Sequence, residues 1–497
     1  MAEPLLCETV TGRTMDEVRR ARDSSAADMV EVRLDGVTRP DGFGAIEGRR
    51  RPVIVTCRPI WEGGLFDGAE EERHRLLGDA FRGGAEFVDV EAQAPFVPEI
   101  ARMRRGDRGL VLSRHFFGEA PPGNLAELAS AMHAKGAEVV KLAFEARRLV
   151  DLLPLMTLAD TLSRNESGEA AGHVLIAMGA PGVTSRILSR RLHNRWSYAG
   201  DGVAPGQVPL QRMVDEFHVR RIAADADLYG VVGNPVMHSL SPAMHNAGFA
   251  ALGMNAAYLP LEAATLEDFV AFAGSMHLRG ASVTAPFKVD MLQHVHVLDP
   301  VARQIGAVNT ITMRDGQWEG ANTDVEGFLA PLSGRLRLKG TRASLLGAGG
   351  AARAVAAALA REGAQVTVCA RRPEAAAKVA ALAHGRVSRI PPAAGSWDVL
   401  INTTSCGSAA QPGNLMAGEP LTGEIVFDLV YAPADTALLQ HARAEGCLTI
   451  GGLEMLVAQA ERQFEIWTGQ RPPGGLFLAA ADSALRATAP KAEAHTL

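Results

Sequence analysis

The chain has 497 residues, which is too long for a single compact core, since domains usually hold roughly 100–200 residues. Apolar residues make up 47% of it and charged residues 21%, and this composition excludes a disordered or fibrous chain. The net charge is −6 and no strongly basic segment offsets it, so nucleic acid is not an expected partner.

Membrane and metal partners are not expected either. No apolar run reaches the 18 or so residues that cross a bilayer. The five cysteines stand far apart and never in C-x-x-C spacing, which argues against disulfides and structural zinc and predicts a reducing, cytoplasmic compartment. His294 and His296 have metal-like H-x-H spacing, but no third ligand or acidic partner is evident, so we predict no metal site.

The first 220 residues alternate short apolar runs with helical stretches such as Leu125–Gly136 and Thr184–Asn194. Eight of the apolar runs predict strands, which is the number in a (β/α)₈ barrel. These runs are Leu5–Thr9, Met29–Arg33, Val53–Cys57, Phe87–Glu91, Leu110–His115, Glu138–Ala143, His173–Met178 and Ser197–Gly200.

Functional side chains stand at or just past the C-terminal ends of these predicted strands. They are Glu31, Arg33, Arg58, Glu91, His115, Lys141 and Met178. In a barrel those ends converge on one mouth, where active sites are built. Charged groups on otherwise apolar strands are costly to bury without a partner or a use. One of them could be a structural ion pair, but several from different strands predict an active site.

Composition changes twice in the second half. Residues Arg220–Asp227 carry charge without an apolar period and predict a linker or short connecting helix, and a new strand begins at Leu228. A further α/β segment begins after Lys339–Gly340. We therefore place domain boundaries near residues 222, 336, 450 and 486, and expect the tail 487–497 to be disordered.

A dinucleotide fingerprint opens that last segment. A strand ending at Leu346 is followed by Gly347-Ala348-Gly349-Gly350-Ala351-Ala352 and an alanine-rich helix, which is G-x-G-x-x-A in strand–turn–helix context. The next strand ends in Ala370-Arg371-Arg372, where an NAD site usually carries Asp or Glu. Two arginines suit a 2′-phosphate, so the predicted cofactor is NADP, although a solvated arginine pair is the alternative.

Ordered motifs in each half carry a family resemblance. Residues 228–475 resemble shikimate dehydrogenase through YGVVGNPVMHSLSPAMHN, GASVTAPFK, GAVNT, NTDVEGF, LLGAGGAAR, NTTSCG, FDLVY and GGLEMLVAQAERQFEIWTG. Residues 1–220 resemble type I 3-dehydroquinate dehydratase through EVRLD, TCR, EGG, SRHFF, VVKLAF, MGAPGVTSR and APGQ. The whole chain is thus similar to the dehydratase–dehydrogenase fusion of the shikimate pathway.

The resemblance implies a fold for each predicted domain. A TIM barrel at 1–222 precedes a two-lobed α/β dehydrogenase. Its substrate-binding lobe covers 223–336 and its Rossmann NADP-binding lobe covers 337–450, and the helices at 451–486 return to the substrate lobe. The expected ligands are 3-dehydroquinate, 3-dehydroshikimate and shikimate, and the oligomeric state stays open.

In the first half, a free lysine amine can form a Schiff base with a ketone, and Lys141 closes a predicted strand. By the resemblance, His115 takes the C2 proton of 3-dehydroquinate and later protonates the departing C1 hydroxyl, while Glu62 could fix its tautomer. The resemblance implies that Arg186 clamps the substrate carboxylate with Gln207 beside it. The residues expected on the hydroxyl-bearing side are Glu31, Arg33 and Arg58, of which either arginine could instead be a structural ion pair.

One position departs from the dehydratase pattern. Val203 stands where the family usually has Ser immediately before APGQ. A hydroxyl contact is therefore missing, or another group such as Tyr198 or a water supplies it. Because one hydrogen bond contributes about 1 kcal/mol, we expect weaker substrate binding rather than lost chemistry.

In the second half, the resemblance gives proton transfer to Lys288 and Asp324, since reducing a ketone requires a proton at its oxygen. Ser239 and Ser241 lie two apart, so on an extended segment they would share a face. The resemblance assigns them, with Tyr431, to the substrate carboxylate. It assigns Thr284, Asn309 and Gln459 to the ring hydroxyls, and Leu429 and Gly452 to the nicotinamide.

Two other functions remain open. The second half could oxidise quinate with NAD, which Arg371 and Arg372 oppose. A regulator that kept these folds without turnover would have lost part of the Lys141/His115 or Lys288/Asp324 set, and all four residues are present.

Overall fold

A computed structural model describes residues 5–104, 108–118, 123–165 and 172–488. Its contacts divide the chain into two compact units. Unit 1 comprises residues 1–226 together with Asn255–Met276, and unit 2 comprises Asp227–Met254 and the residues from His277 onward. Within the described ranges, no helix has both the length and the apolar character needed to span a membrane.

Unit 1 contains the predicted barrel of eight parallel strands. The strands are β1 (Leu5–Val10), β2 (Met29–Arg33), β3 (Val53–Thr56), β4 (Phe87–Glu91), β5 (Gly109–Phe116), β6 (Val139–Glu145), β7 (Gly172–Met178) and β8 (Trp196–Ala199). They pair in the order β7-β6-β5-β4-β3-β2-β1-β8, so β8 joins the sheet beside β1. Each observed strand lies within a few residues of its predicted position, and the predicted barrel class is confirmed.

Helices connect most of these strands. They are α1 (Met15–Ser24), α2 (Glu70–Gly83), α3 (Val97–Arg102), α4 (Leu125–Ala134), α5 (Leu153–Asn165), α6 (Val183–Ile187) and α7 (Leu210–Asp215). Short 3₁₀ turns lie at Ile60–Glu62, Leu149–Leu152 and Val219–Arg221. The predicted helix Thr184–Asn194 was too long, because α6 ends at Ile187 and turns follow it as far as His193. His193 has a φ of +52°, which a right-handed helix does not allow. The last 3₁₀ turn lies at the start of the predicted linker.

The barrel interior is apolar below the mouth. Cys7, Met29, Ile54, Val111 and Val139 come from five different strands and pack in one buried cluster. Because successive strand residues alternate between the two faces, the same inward faces that supply this cluster carry the polar groups toward the strand ends. The fold therefore places those groups above a packed floor.

The chain then forms six further strands, β9 (Asp227–Gly233), β10 (Ala256–Glu262), β11 (Gly280–Val283), β12 (Val297–Leu298), β13 (Thr310–Arg314) and β14 (Gln317–Ala321). Five of them lie in unit 2 in the order β9-β11-β13-β14-β12. The helices that accompany them are α8 (Ser241–Ala251), α9 (Leu266–Ser275), α10 (Pro300–Ile305) and α11 (Asp324–Leu332), with a 3₁₀ turn at Asp290–Gln293.

Strand β10 and helix α9 are grouped with unit 1. Buried Asp268 of α9 accepts hydrogen bonds from the backbone N–H groups of Leu149 (2.9 Å), Val150 (3.0 Å) and Ala264 (3.2 Å). This segment falls within the predicted substrate-binding lobe at 223–336, whereas its contacts group it with unit 1. The predicted domain boundaries themselves stay predictions.

The remaining strands form a parallel Rossmann-like sheet in the order β17-β16-β15-β18-β19-β20. They are β15 (Arg342–Leu346), β16 (Gln365–Cys369), β17 (Arg386–Ser388), β18 (Val399–Asn402), β19 (Ile425–Asp428) and β20 (Leu448–Gly451). The helices are α12 (Gly350–Arg361), α13 (Pro373–Ala381), α14 (Ala437–Ala444), α15 (Gly452–Thr468) and α16 (Leu476–Thr488). Of the tail expected to be disordered, residues 487–488 end α16 and 489–497 lie outside the described residues.

Two candidate active sites

The mouth of the barrel holds a cavity of about 90 Å³. It brings together all eight residues that the sequence analysis assigned to the dehydratase site. They are Glu31, Arg33, Arg58, Glu62, His115, Lys141, Arg186 and Gln207. Met178 lines the same cavity, whereas Glu91 lies beside it in a buried ion-pair network.

Lys141 is 5% exposed and points its ammonium into an acidic cluster. Its Nζ lies 3.0 Å from Asp89 Oδ2, 3.1 Å from Tyr198 Oη and 3.5 Å from Glu31 Oε1. A buried ammonium is stable only among such partners. The cluster holds the amine at one place facing the cavity.

Arg58 and two acids of β4 form the second part of this cluster. Arg58 lies 3.0 Å from Asp89 and 2.6 Å from Glu91, and Ser113 donates to Asp89 at 2.6 Å. The cations Arg58 and Lys141 hold the pKa of Asp89 well below its usual range, against the effect of burial. Arg73 forms a further buried ion pair with Glu91. Arg58 therefore lines the cavity and is also part of a structural network.

His115 and Glu62 form a hydrogen-bonded pair, with Nδ1 3.0 Å from Oε2. Burial, together with the cations Arg58 and Lys141, lowers the pKa of His115 well below its usual value. Burial raises the pKa of Glu62 to about 8, although Arg58 and Arg114 oppose this rise. When Glu62 is ionised it accepts a hydrogen bond from Nδ1–H, which leaves Nε2 of the neutral imidazole free to act as a base.

Arg186 is buried, and its Nε has no hydrogen-bond partner within the described ranges. Its Nη2 makes only a long contact of 3.5 Å with the carbonyl of Pro205. Burial without a counter-charge lowers the pKa of Arg186 to about 10. A guanidinium in this state suits a carboxylate ligand, which would supply both charge and acceptors.

Gln207 closes the loop above the cavity. Its Oε1 accepts from the N–H groups of Val203 and Ala204, both at 3.1 Å, and its Nε2 donates to Thr9 at 3.2 Å. Val203 lines the cavity with an apolar side chain. Arg33 also lines the cavity, but it makes a two-pronged bond to Asp35, at 2.8 Å on each prong. Its contact with substrate remains a prediction.

Unit 2 contains a larger cavity of about 380 Å³. Lys288 Nζ lies 2.6 Å from Asp324 Oδ2, and Asn309 donates to the other carboxylate oxygen at 2.8 Å. Asp324 is the first residue of α11, where the helix dipole favours a negative charge. The ion pair is thus held from two sides and faces the cavity.

The other residues predicted for the dehydrogenase reaction line the same cavity. They are Ser239, Ser241, Thr284, Ala351, Leu429, Tyr431, Gly452 and Gln459, together with Asn309. The two serines do not lie on an extended segment, so the shared face that such a segment would give them does not apply. Ser241 begins α8 before Pro242, and its N–H donates to Ser239 Oγ at 3.2 Å, so a turn brings the two side chains to the cavity.

A separate cavity of about 430 Å³ lies at the N-terminus of α12. Its lining includes Gly347, Ala348, Gly349, Ala370, Arg371 and Arg372. Gly350 is not among the residues that line this cavity. A Cβ at that position would lie 3.4 Å from Lys288 Cδ, on the side of the Lys288–Asp324 ion pair.

These residues fit a phosphorylated dinucleotide. Gly347 has a φ of +112°, and a Cβ there would lie 2.7 Å from Thr403 Oγ1, so the turn requires glycine. A Cβ at Gly349 would meet open space, which leaves its backbone accessible at the start of a twelve-residue helix. Arg371 and Arg372 are exposed, and neither guanidinium has an ion-pair partner in the described part of the chain.

Several groups at both sites were not predicted from the sequence. Asp89 stands two residues before Glu91 on β4, and this spacing placed it on the same face as a residue already noted. Gln463 of α15 bonds Ser282 at 2.8 Å and Thr310 at 3.0 Å in the dehydrogenase cavity. It lies 181 positions from Ser282, so no local pattern indicated it.

The barrel with its buried lysine beside a His–Glu pair, and the dinucleotide fold with its Lys–Asp pair, are typical of two classes of enzyme on one chain: a lyase and an oxidoreductase. A family model for type I 3-dehydroquinase matches residues 6–223. Models for the shikimate dehydrogenase substrate binding domain and the shikimate 5′-dehydrogenase C-terminal domain match residues 231–311 and 452–481.

Relatives match over the whole chain and over its second half. The chloroplastic bifunctional 3-dehydroquinate dehydratase/shikimate dehydrogenase of Arabidopsis thaliana is 32% identical, over 95% of this chain and 83% of that protein. An NADP(+) shikimate dehydrogenase of Moorella thermoacetica is 41% identical over 51% of this chain and 92% of its own length. A shikimate dehydrogenase structure from Aquifex aeolicus covers 52% of this chain and 98% of its own, with 35% identity and a TM-score of 0.49. The chain belongs to the family of bifunctional 3-dehydroquinate dehydratase/shikimate dehydrogenases.

Proposed function

We propose that unit 1 dehydrates 3-dehydroquinate to 3-dehydroshikimate through an imine on Lys141, and that unit 2 reduces 3-dehydroshikimate to shikimate with NADPH. The observation that carries the first step is the buried Lys141 amine facing a cavity that also contains His115. Family membership supports both activities and the NADP dependence.

In unit 1, Lys141 nitrogen attacks the substrate ketone, and the carbonyl oxygen leaves as water to give an iminium. His115 Nε2 then removes the C2 proton, and the electron pair of the broken C–H bond moves toward the iminium nitrogen. The pair returns to form the C1–C2 double bond as the C1 hydroxyl leaves, protonated by His115. Hydrolysis of the product imine restores Lys141.

Substrate orientation follows from the charges around the cavity. Arg186 takes the carboxylate, because it is the buried guanidinium that lacks a hydrogen-bond partner at Nε. Gln207 holds the loop beside it through the N–H groups of Val203 and Ala204. Glu31, Arg33 and Arg58 face the hydroxyl-bearing side of the ring.

In unit 2, the bound nucleotide supplies the hydride. Lys288 donates a proton to the ketone oxygen, and Asp324 holds that ammonium at 2.6 Å. Ser239, Ser241 and Tyr431 bind the carboxylate. The ring hydroxyls are bound by Thr284, Asn309 and Gln459.

Gly347, Ala348, Gly349, Gly350 and Ala351 would hold the nucleotide phosphates. Ala370, Arg371 and Arg372 would hold the 2′-phosphate, and Leu429 and Gly452 would hold the nicotinamide. A cytoplasmic location is part of the proposal and is supported by the five cysteines, all of which are free thiols.

The test supplies 3-dehydroquinate to the full chain with and without NADPH and follows both products. Without nucleotide, 3-dehydroshikimate accumulates; with NADPH it is converted to shikimate. Quinate oxidation with NAD in preference to NADP would replace the second step with the quinate alternative. Binding of both ligands without turnover would mean a regulator.

A further inference from the structure

Tyr198 is a polar group of the barrel cavity to which the mechanism above gives no role. It lies on β8, is 2% exposed, and its ring packs edge-on against Trp196 with the centroids 6.5 Å apart. Lys141 Nζ lies 3.1 Å from the phenol oxygen and 4.3 Å from the ring centroid. The phenol therefore touches the nitrogen that forms the imine.

The hydrogen-bond donors and acceptors at this contact fix its direction. A lysine ammonium has only donors, so in this contact Tyr198 is the acceptor. Its own O–H donates no hydrogen bond in the described part of the barrel, and the side chain lines the cavity. The phenol thus accepts from Lys141 and presents a donor to whatever the cavity binds.

The neighbours of Tyr198 keep that donor in place. Burial, reinforced by the charges of Glu31 and Asp89, raises the pKa of Tyr198 well above its ordinary value, so the phenol stays protonated. Asp89 is unsuited to carry a proton because Arg58, Ser113 and Lys141 all bond to it in its ionised form. Of the groups around Nζ, the phenol is the one that can both accept and donate.

We propose that Tyr198 is a further catalytic residue of the dehydratase, which relays a proton from the Lys141 nitrogen to the substrate oxygen on the carbon that Lys141 attacks. This inference rests on the proposed imine at Lys141. It concerns formation and hydrolysis of the imine and leaves removal of the C2 proton to His115.

The atoms of the step balance without another reactant. The lysine ammonium and the ketone become an iminium and one water, so two protons pass from nitrogen to oxygen. As nitrogen bonds to the carbonyl carbon, the carbonyl electron pair moves to oxygen, and the C–O bond breaks when that oxygen has received its second proton. Tyr198 accepts a proton from nitrogen as it donates its own to oxygen, so no phenolate accumulates.

The test compares Tyr198→Phe with the wild-type chain in a single turnover of 3-dehydroquinate. Borohydride added at successive times traps the imine, and mass analysis of the peptide that contains Lys141 measures how fast it forms. Removing a proton-transfer group slows its step by about 10²-fold or more, so we expect trapping to slow by about that factor. The phenyl ring retains the packing.

A second readout separates this role from a structural one. With substrate deuterated at C2, the wild-type isotope effect reports C–H cleavage. In Tyr198→Phe we expect that effect to fall toward 1, because imine formation becomes rate-limiting. A merely structural defect would slow both steps and leave the isotope effect in place, which would overturn the proposal.

The matched control is Tyr258→Phe, the same change at a buried tyrosine of β10 that does not line the barrel cavity. It should leave the trapping rate and the isotope effect unchanged. If wild-type Lys141 is never labelled, the proposed function of the barrel fails. If wild type is labelled and Tyr198→Phe is trapped equally fast, the proposed function stands and the relay is overturned.

Discussion

The two catalytic cavities differ in how much of their chemistry is assembled before a ligand arrives. The barrel cavity is small, about 90 Å³, and its Lys141 and Arg58 are already neutralised by Asp89 and Glu91 in the interior. The dehydrogenase cavity is about 380 Å³ and holds one ion pair, whose Lys288 side chain keeps 19% of its surface exposed.

This difference agrees with the two reactions proposed above. A covalent lyase must hold one amine and one base in fixed positions, and a buried charge network fixes them at the cost of desolvation. A dehydrogenase must admit both a nucleotide and a substrate, so its cavity is wider and its proton donor less enclosed. Substitutions in the barrel should therefore have larger effects than equivalent ones in unit 2.

The largest expected effect is at Lys141. Lys141→Ala should lower dehydratase turnover by on the order of 10⁴-fold or more, because it removes the nucleophile. Shikimate oxidation by the same preparation should change little. Activity is measured by formation of 3-dehydroshikimate, with the exposed Lys135→Ala on the same unit as the control. Appreciable dehydratase activity in Lys141→Ala would show that the reaction needs no covalent bond to Lys141.

In unit 2, Lys288→Ala should lower kcat for 3-dehydroshikimate reduction by about 10²- to 10⁴-fold, the usual range for a general acid. Asp324→Asn should have a smaller effect, because the amide still accepts a bond from the ammonium. NADPH consumption checks both, and Lys378→Ala on α13 is the control. A loss of activity in Lys288→Ala as large as that in Lys141→Ala would contradict the expected difference between the two cavities.

The nucleotide site gives the next effect. Arg371→Ala should raise the KM for NADP roughly 10- to 150-fold, since a charge-assisted bond to phosphate is lost, and should leave the KM for NAD nearly unchanged. Initial rates with each nucleotide measure this, beside Arg361→Ala at the far end of α12. Equal changes for both nucleotides would show that Arg371 does not contact the 2′-phosphate.

A pH profile tests the His–Glu pair. Burial raises the pKa of Glu62 to about 8, so below that pH the pair keeps an extra proton and His115 is not free as a base. Dehydratase kcat/KM should therefore rise with pH through about 8. In Glu62→Gln the rise in kcat/KM, here called the limb, should move below pH 6.5, because burial and neighbouring cations lower the pKa of His115.

The control for this profile is Glu145→Gln, at the end of β6, which should keep the wild-type limb. The measurement is dehydratase kcat/KM from about pH 5 to about pH 9.5, a range that includes the wild-type midpoint near 8 and pH values below 6.5. An unchanged limb in Glu62→Gln would mean that another group titrates.

The smallest effect is expected at Val203. Val203→Ser should lower the dehydroquinate KM about 5-fold, because one added hydrogen bond contributes about 1 kcal/mol. Val203→Ala removes the same apolar group without adding a hydroxyl, and it should not show this gain. Equal KM values for the two variants would mean that no substrate group lies within reach of position 203.

The strands of the barrel were predictable because each one corresponds to a short apolar run in the sequence. Runs such as Phe87–Glu91 are apolar, short and closed by charged residues, and the structure begins and ends this strand at the predicted positions. The end of α6 was less predictable, since the Leu and Arg residues after Ile187 suit a helix and the turn at His193 depends on a backbone angle.

Some residues of the candidate sites were likewise predictable from the sequence, and others were not. Lys141 and His115 stood out as polar residues in the C-terminal parts of apolar runs, although β6 continues four residues past Lys141, to Glu145. The geometry of Ser239 and Ser241 was missed because Pro242 can follow an extended segment or open a helix. The three partners of Asp89, which are Arg58, Ser113 and Lys141, come together only when β4, β5 and β6 pair.

The carboxylate of Asp268 bears on how such a fused gene can evolve. It caps two N–H groups at the start of the Leu149–Leu152 turn, although α9 follows the barrel by some forty residues of chain. A dehydratase cut after residue 226 would lack that acceptor, and both N–H groups would have to bond water in its place. Splitting the gene after residue 226 would therefore separate the barrel from a segment that packs in the same unit.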